Sequence, residues 1–342
     1  MVRVVRFLTC GILAFSCFAQ QSVTTGSYKV LQTAKVGGDG FYDYVYADAA
    51  GRKLYVPRIG TIGRITVFDL DTLKSAGEIA NANAHGTAVD AGSRHGFGSS
   101  KPVAMWDSNT LAPIKTIEVQ GNPDGILGDP FNGRIYVFSH VAPNATVIDA
   151  KDGSVMGTIE LGGAPEQAVS DGRGHIYVDI EDKGNIAVVD AKTMTVTAHY
   201  DLAGKGDGCA GLAMDVKNNI LFAACRSPQN MVILSAGDGK ILATLPIGRG
   251  SDGAVFNPNT MEAFSSQNDG TLSIVKENSP TSFTVEQTLE TMPRARTLTL
   301  DAKTNRILTV AAEFTAPTVP PGERPARSAM VPGTFSILVA GK

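Results

Sequence analysis

Short apolar strands recur along the chain in a fixed internal order. Arg52-Lys53-Leu54-Tyr55-Val56, Gly133-Arg134-Ile135-Tyr136-Val137 and Gly174-His175-Ile176-Tyr177-Val178 are variants of one strand. Each is followed by a second apolar strand ending in aspartate, over 65–69, 145–149 and 186–190, and weaker copies surround Met105-Trp106-Asp107 and 231–234. A polar marker completes the unit: Asp48, Asp90, Asp129, Asp171, Asp215, Asn257 and Asp301 recur at intervals of 39 to 44 residues, each just after the first strand. Seven units of this period, with four short strands each, predict an all-β, seven-bladed β-propeller of four-stranded antiparallel blades. The marker column has a structural explanation, because Asp and Asn side chains hydrogen-bond their own backbone in turns.

The chain ends agree with the count. Fourth strands are expected over 114–119, 155–161, 196–202, 241–247 and 283–289, and a matching segment, 28–36, stands alone before the first complete unit. The last unit stops after its third strand, 335–339. The N-terminal strand is therefore expected to complete blade seven, closing the ring and removing an exposed sheet edge.

Ahead of the repeats, Arg3 and Arg6 precede an apolar run over 7–18 that ends at the small residue Ala19, the order of a secretory signal. A membrane span needs about 20 apolar residues, more than this run offers. Residues 1–19 are read as a signal peptide and 20–342 as a single propeller domain, periplasmic or secreted, with no transmembrane segment after cleavage. Lipidation at Cys17 is the alternative, although Ala14-Phe15-Ser16 matches that signal poorly. At 43% hydrophobic and 18% charged, the chain is too apolar and too weakly charged to be disordered. Its net charge of −3, which becomes −5 once Arg3 and Arg6 are removed, gives no whole-chain attraction for nucleic acid.

Cleavage also leaves only Cys209 and Cys225, an even pair that indicates a disulfide in an exported protein. Strands over 211–214 and 220–224, joined by the turn 215–219, pair Met214 with Ile220 and bring the cysteines opposite each other. A bridge closing about 15 residues would contribute roughly 3 kcal/mol on the chain-entropy account.

Leu54-Tyr55-Val56 followed by Ile65-Thr66-Val67-Phe68-Asp69-Leu70-Asp71-Thr72-Leu73 resembles the bacterial YVTN β-propeller repeat family, which includes YncE-type periplasmic proteins. The resemblance covers nearly all of the mature chain. No unit carries the full Tyr-Val-Thr-Asn string; the nearest copies are Tyr-Val-Pro-Arg, Tyr-Val-Phe-Ser and Tyr-Val-Asp-Ile. The family implies the propeller fold and, through YncE-type relatives, single-stranded DNA binding. The shared residues belong to strands and turns and supply no active site.

Candidate chemistry lies five residues before each marker, at Asp43, His85, Asp124, Glu166, Ala210, Asp252 and Arg296. The intervening positions Val45, Thr87, Ile126, Ala168, Leu212, Ala254 and Leu298 are mostly apolar. A polar ring above an apolar throat is the expected channel mouth. Three readings of it stay open. Asp43, His85, Asp124, Glu166 and Asp252 offer ligands for a divalent cation such as Ca²⁺ or Mg²⁺, or for Mn²⁺ or Zn²⁺, which a lactonase-type hydrolase would use to activate water. Crowded carboxylates can also serve acid–base chemistry. Alternatively the polar groups simply face water.

The ends of the second strands add an expected outer rim of Arg58, His140, Glu181, Arg226, Asn268 and Glu313. Taken singly, His140 and His175 read as surface or turn residues. A Pro-rich insertion over 315–333 interrupts blade seven between its second and third strands and is long for a loop. It is expected on the face of the ring, as a lid or partner contact or as a disordered segment. P-loop, HExxH, GxSxG and haem-attachment motifs are missing from the sequence. The leading expectation is a monomeric exported binding or scaffold protein that holds a small molecule, cation or protein at the channel mouth. A metal-assisted hydrolase is second, and the acidic ring weighs against nucleic acid.

Overall fold

The computed structural model describes residues 27–142, 144–316 and 328–342. The expected signal segment and the centre of the Pro-rich insertion lie outside them. The described residues form seven four-stranded antiparallel sheets, six of them in sequence order from the channel outward. Blade one runs Tyr46–Asp48, Lys53–Arg58, Arg64–Asp69 and Ser75–Ala80. Blade seven is built from Leu298–Asp301, Arg306–Ala311 and Ser336–Gly341, and its outer strand is the N-terminal Lys29–Lys35, as the chain ends predict.

The alternation along one strand shows why the blades stack. In Lys53–Arg58, Leu54 and Val56 enter a core shared with Leu308, Val310, Phe335 and Ile337 of blade seven. Tyr55 points the other way, into a core with Trp106 of blade two. Successive side chains leave a strand on opposite faces, and a blade sandwiched between two others needs both faces apolar. Gly96 lies directly opposite Trp106, and any Cβ there would collide with the indole.

The marker column caps turns as expected: Asp48 accepts from Gly51 N at 2.9 Å and Asp215 from Lys217 N at 2.9 Å. It also ties blades together. Arg94 of blade two reaches Asp48 at 2.9 Å, and Arg52 of blade one reaches Asp301 at 2.8 Å. A further clasp holds the chain termini: fully buried Glu262 accepts from the Tyr28 hydroxyl and pairs with Lys342 at 2.6 Å.

Cys209 and Cys225 face each other across the hairpin and are disulfide-bonded. The register near the turn is one residue away from expectation. Ile220 pairs with Asp215 and Met214 with Leu221, and a bulge at Ala210 restores the alignment of the cysteines. The strands are also longer than expected, Asp207–Asp215 and Ile220–Ser227.

Candidate functional site at the channel mouth

The ladder is broken where the ring residues sit. Register shifts fall between Pro123 and Ile126, Pro165 and Ala168, Cys209 and Gly211, and Ser251 and Gly253. Asp124, Glu166, Ala210 and Asp252 therefore occupy bulges, which bend a strand and re-aim a side chain. Asp43 and His85 precede the short inner strands that begin at Tyr46 and Thr87.

The ring closes through pairwise contacts. Arg296 lies 3.7 Å from Asp43 and 2.7 Å from Asp252. His85 Nδ1 lies 2.9 Å from Asp43 and 3.2 Å from Asp124. At the expected ring position blade five offers only Ala210, and the gap is bridged by Arg226 from its second strand and by residues just after the second strands of blades three and four. His140 Nε2 lies 3.2 Å from Asp124 and 3.5 Å from Glu166, while Arg226 pairs with both Glu181 and Asp252. Tyr44, half-buried, donates its hydroxyl to Glu166.

Three of the expected outer-rim residues, His140, Glu181 and Arg226, thus reach the ring itself; His140 is exposed, as expected of it singly, and also contacts the ring carboxylates. The other three do not join. The Arg58 guanidinium is buried 3.5 Å over the Phe335 ring and donates to Asp39 O at 2.8 Å, a packing role. Asn268 and Glu313 are exposed and meet neighbours through their backbones. His175 is exposed at the start of the strand His175–Ile180, 3.0 Å from Asp171 in the preceding turn.

Proximity reshapes the charges. The contact with Glu166 pushes His140 up to about 9, and Asp43 raises His85. Burial, with Asp43 nearby, pushes Asp124 up to about 6, and burial does the same to Asp252 against the pull of Arg296. Burial and the neighbouring Glu166 push Glu181 up to about 7. Glu166 is held below the ordinary range: burial acts to raise it, but His140 and Tyr44 prevail. The mouth therefore sets two arginines and two histidines, both with raised proton affinity, against its carboxylates, three of which, Asp124, Glu181 and Asp252, are themselves pushed up.

The channel holds a cavity of about 450 Å³ lined mainly by apolar side chains, and all seven predicted throat positions line it. Gly211 lets blade five approach blade six here, because a Cβ at that position would strike the Gly253 backbone. At the described flanks of the insertion, Phe314 bridges Met330 and stacks on Phe41 at 6.5 Å, with Arg294 at 3.9 Å on its ring.

The comparisons agree on the fold. Solved propellers superpose over nearly the whole chain. A chain of the mitotic checkpoint complex is 11% identical with a TM-score of 0.69, covering 90% of this chain and 95% of that one. The structure of U3-55K is 10% identical with a TM-score of 0.69, covering 91% and 98%. At sequence level, the chain is similar to the uncharacterized protein YncE of Salmonella typhi and of Salmonella typhimurium, each 24% identical over 173 residues. That stretch is 45% of this chain and 46% of each YncE, so the chain spans just under half the length of the curated relatives it matches. No protein-family profile matches the chain.

Proposed function

We propose that this chain is an exported propeller of the YVTN-repeat type that binds a small, multiply charged ligand at its channel mouth. The observation that carries this reading is the convergence of Asp43, His85, Asp124, Glu166, Asp252 and Arg296, from six blades, with side chains bridged to one another directly or, for Glu166, through His140. Ionisable groups held this way above an apolar throat form a concave site with few, fixed polar contacts. Export rests on the signal-like N-terminus and on the disulfide, which persists in oxidising compartments.

A panel of divalent cations, polyamines, amino acids and dicarboxylates, screened by thermal shift, tests the reading. At least one class is expected to raise the melting temperature of the wild type and to lose its effect in Asp43→Asn/Asp252→Asn. A panel without effect, or one acting equally on the double variant, would refute it. The second reading, a metal-assisted hydrolase, is favoured by the mixed histidine–carboxylate sets Asp43–His85–Asp124 and Asp124–His140–Glu166. Nucleic acid has less support, because both mouth arginines, Arg226 and Arg296, are already engaged by carboxylates.

A further inference from the structure

The donor atoms of Asp43, His85 and Asp124 all lie within 4.8 Å of one another, and so do those of Asp124, His140 and Glu166. Each set has one imidazole nitrogen facing two carboxylate oxygens. His85 Nδ1 is 2.9 Å from Asp43 Oδ2 and 3.2 Å from Asp124 Oδ1; His140 Nε2 is 3.2 Å from Asp124 Oδ2 and 3.5 Å from Glu166 Oε1.

A ring nitrogen carries at most one proton, which points along one line and serves one acceptor well. The His85 hydrogen bond goes to Asp43, and Asp124 Oδ1 is left buried without a hydrogen-bond partner. A buried carboxylate oxygen without a partner is costly. Asp179 is fully buried, has neither oxygen paired, and lies within electrostatic reach of Glu166. A metal ion satisfies one nitrogen and two oxygens at once, as a single proton does not.

We infer that the mouth holds two divalent transition ions, one in each set, with Asp124 as the carboxylate bridge between them. The inference deepens the channel-mouth reading and rests on it. Asp124 presents Oδ1 to one set and Oδ2 to the other, the arrangement of a bridging carboxylate. The terminal ligands are braced from outside: Tyr44 donates to Glu166, and Arg296 flanks Asp43. Such outer contacts fix ligand orientation. One imidazole with two carboxylates in each set favours Mn²⁺ or Zn²⁺ over the all-oxygen preference of Ca²⁺ and Mg²⁺. Three protein ligands per ion, counting the shared Asp124 in both sets, leave coordination positions for water or ligand.

Chelator-stripped full chain, titrated with Mn²⁺ at mildly alkaline pH so that the ion can displace the imidazole proton, tests this by calorimetry and electron paramagnetic resonance. Two Mn²⁺ per chain with an exchange-coupled spectrum are expected. Asp43→Asn should weaken one ion about tenfold or more and leave the signal of an isolated ion, and Glu166→Gln should do the same to the other. Asp124→Asn should weaken both and abolish the coupling; should it fail to fold by circular dichroism, His85→Gln and His140→Gln carry the test. One Mn²⁺ per chain, or two that ignore these substitutions, overturns the bridged pair. No Mn²⁺ alongside organic-ligand binding that Asp43→Asn/Asp252→Asn abolishes overturns the pair and leaves the mouth reading standing. Loss of both kinds of binding overturns both.

Discussion

Gln167 of blade four is hydrogen-bonded to Ala254 of blade six, past blade five. Its Nε2 donates to Ala254 O at 2.9 Å, and its Oε1 accepts from Ala254 N at 2.9 Å and Leu212 N at 3.1 Å. The innermost strands have no further strand on their channel side, so their inward backbone groups need other partners. One side chain satisfies three of them.

Gln167→Ala should therefore destabilise the fold by about 2 kcal/mol, less than the sum of three lost bonds because channel water can replace some of them. Gln167→Glu should fall between, since a carboxylate accepts from both N–H groups but cannot donate to Ala254 O. Urea unfolding of the three proteins measures the order. Equal midpoints would show that Gln167 merely fills space.

The disulfide should matter through the chain it closes. Cys209 and Cys225 are 16 residues apart, and the chain-entropy account gives roughly 3 kcal/mol for such a loop. Reduction, or Cys209→Ala/Cys225→Ala, is expected to lower the denaturant midpoint accordingly. Arg226 follows Cys225 directly and pairs with Glu181 and Asp252, so the double variant should also weaken any ligand held at the mouth. Unchanged ligand affinity would separate the bridge from the site.

Lys342→Met should cost about 2 kcal/mol, because it strands Glu262, which is fully buried between Lys342 and Tyr28. Adding Glu262→Gln should recover part of the loss. Thermal melts of the singles and the double give the coupling; additive losses would mean the pair does not act as a unit.

Glu277 introduces a pH dependence. Burial pushes it up to about 7 from the ordinary 4.5, with the nearby Asp215 adding to the rise; Asn218 donates to its Oε1 at 2.7 Å while Oε2 has no partner. The folded protein holds this proton more tightly than the unfolded chain. Its contribution is therefore complete below about pH 4.5 and lost as pH rises through about 7, a fall of about 1 to 3 kcal/mol. Glu277→Gln should flatten that part of the stability profile, and urea midpoints between pH 5 and 8 will report it. A wild-type profile as flat as the variant's would contradict the assignment.

Blade count, strand order and ring closure were all legible in the sequence, because they follow from period-two apolar patterns and a turn residue repeated at a fixed interval. A fixed offset from that turn residue also located Asp43, Asp124 and Glu166, since every blade approaches the channel with the same geometry. The sequence even marked the gap: Ala210 is the one ring position without an ionisable group. What filled it was not legible. Whether His140 and Arg226 enter the ring and Arg58 does not depends on bulges, side-chain reach and the ring of Phe335 lying beside Arg58. Most of these contacts join residues of different blades, His140 to Glu166, Arg226 to Glu181 and Asp252, Arg58 to Phe335, so no local periodicity encodes them. The same holds for the electrostatics of the mouth: the offset from the marker column placed four acids near one another, but burial raises Asp124 and Asp252, and the neighbouring carboxylates raise the two histidines, only once the blades have brought them together.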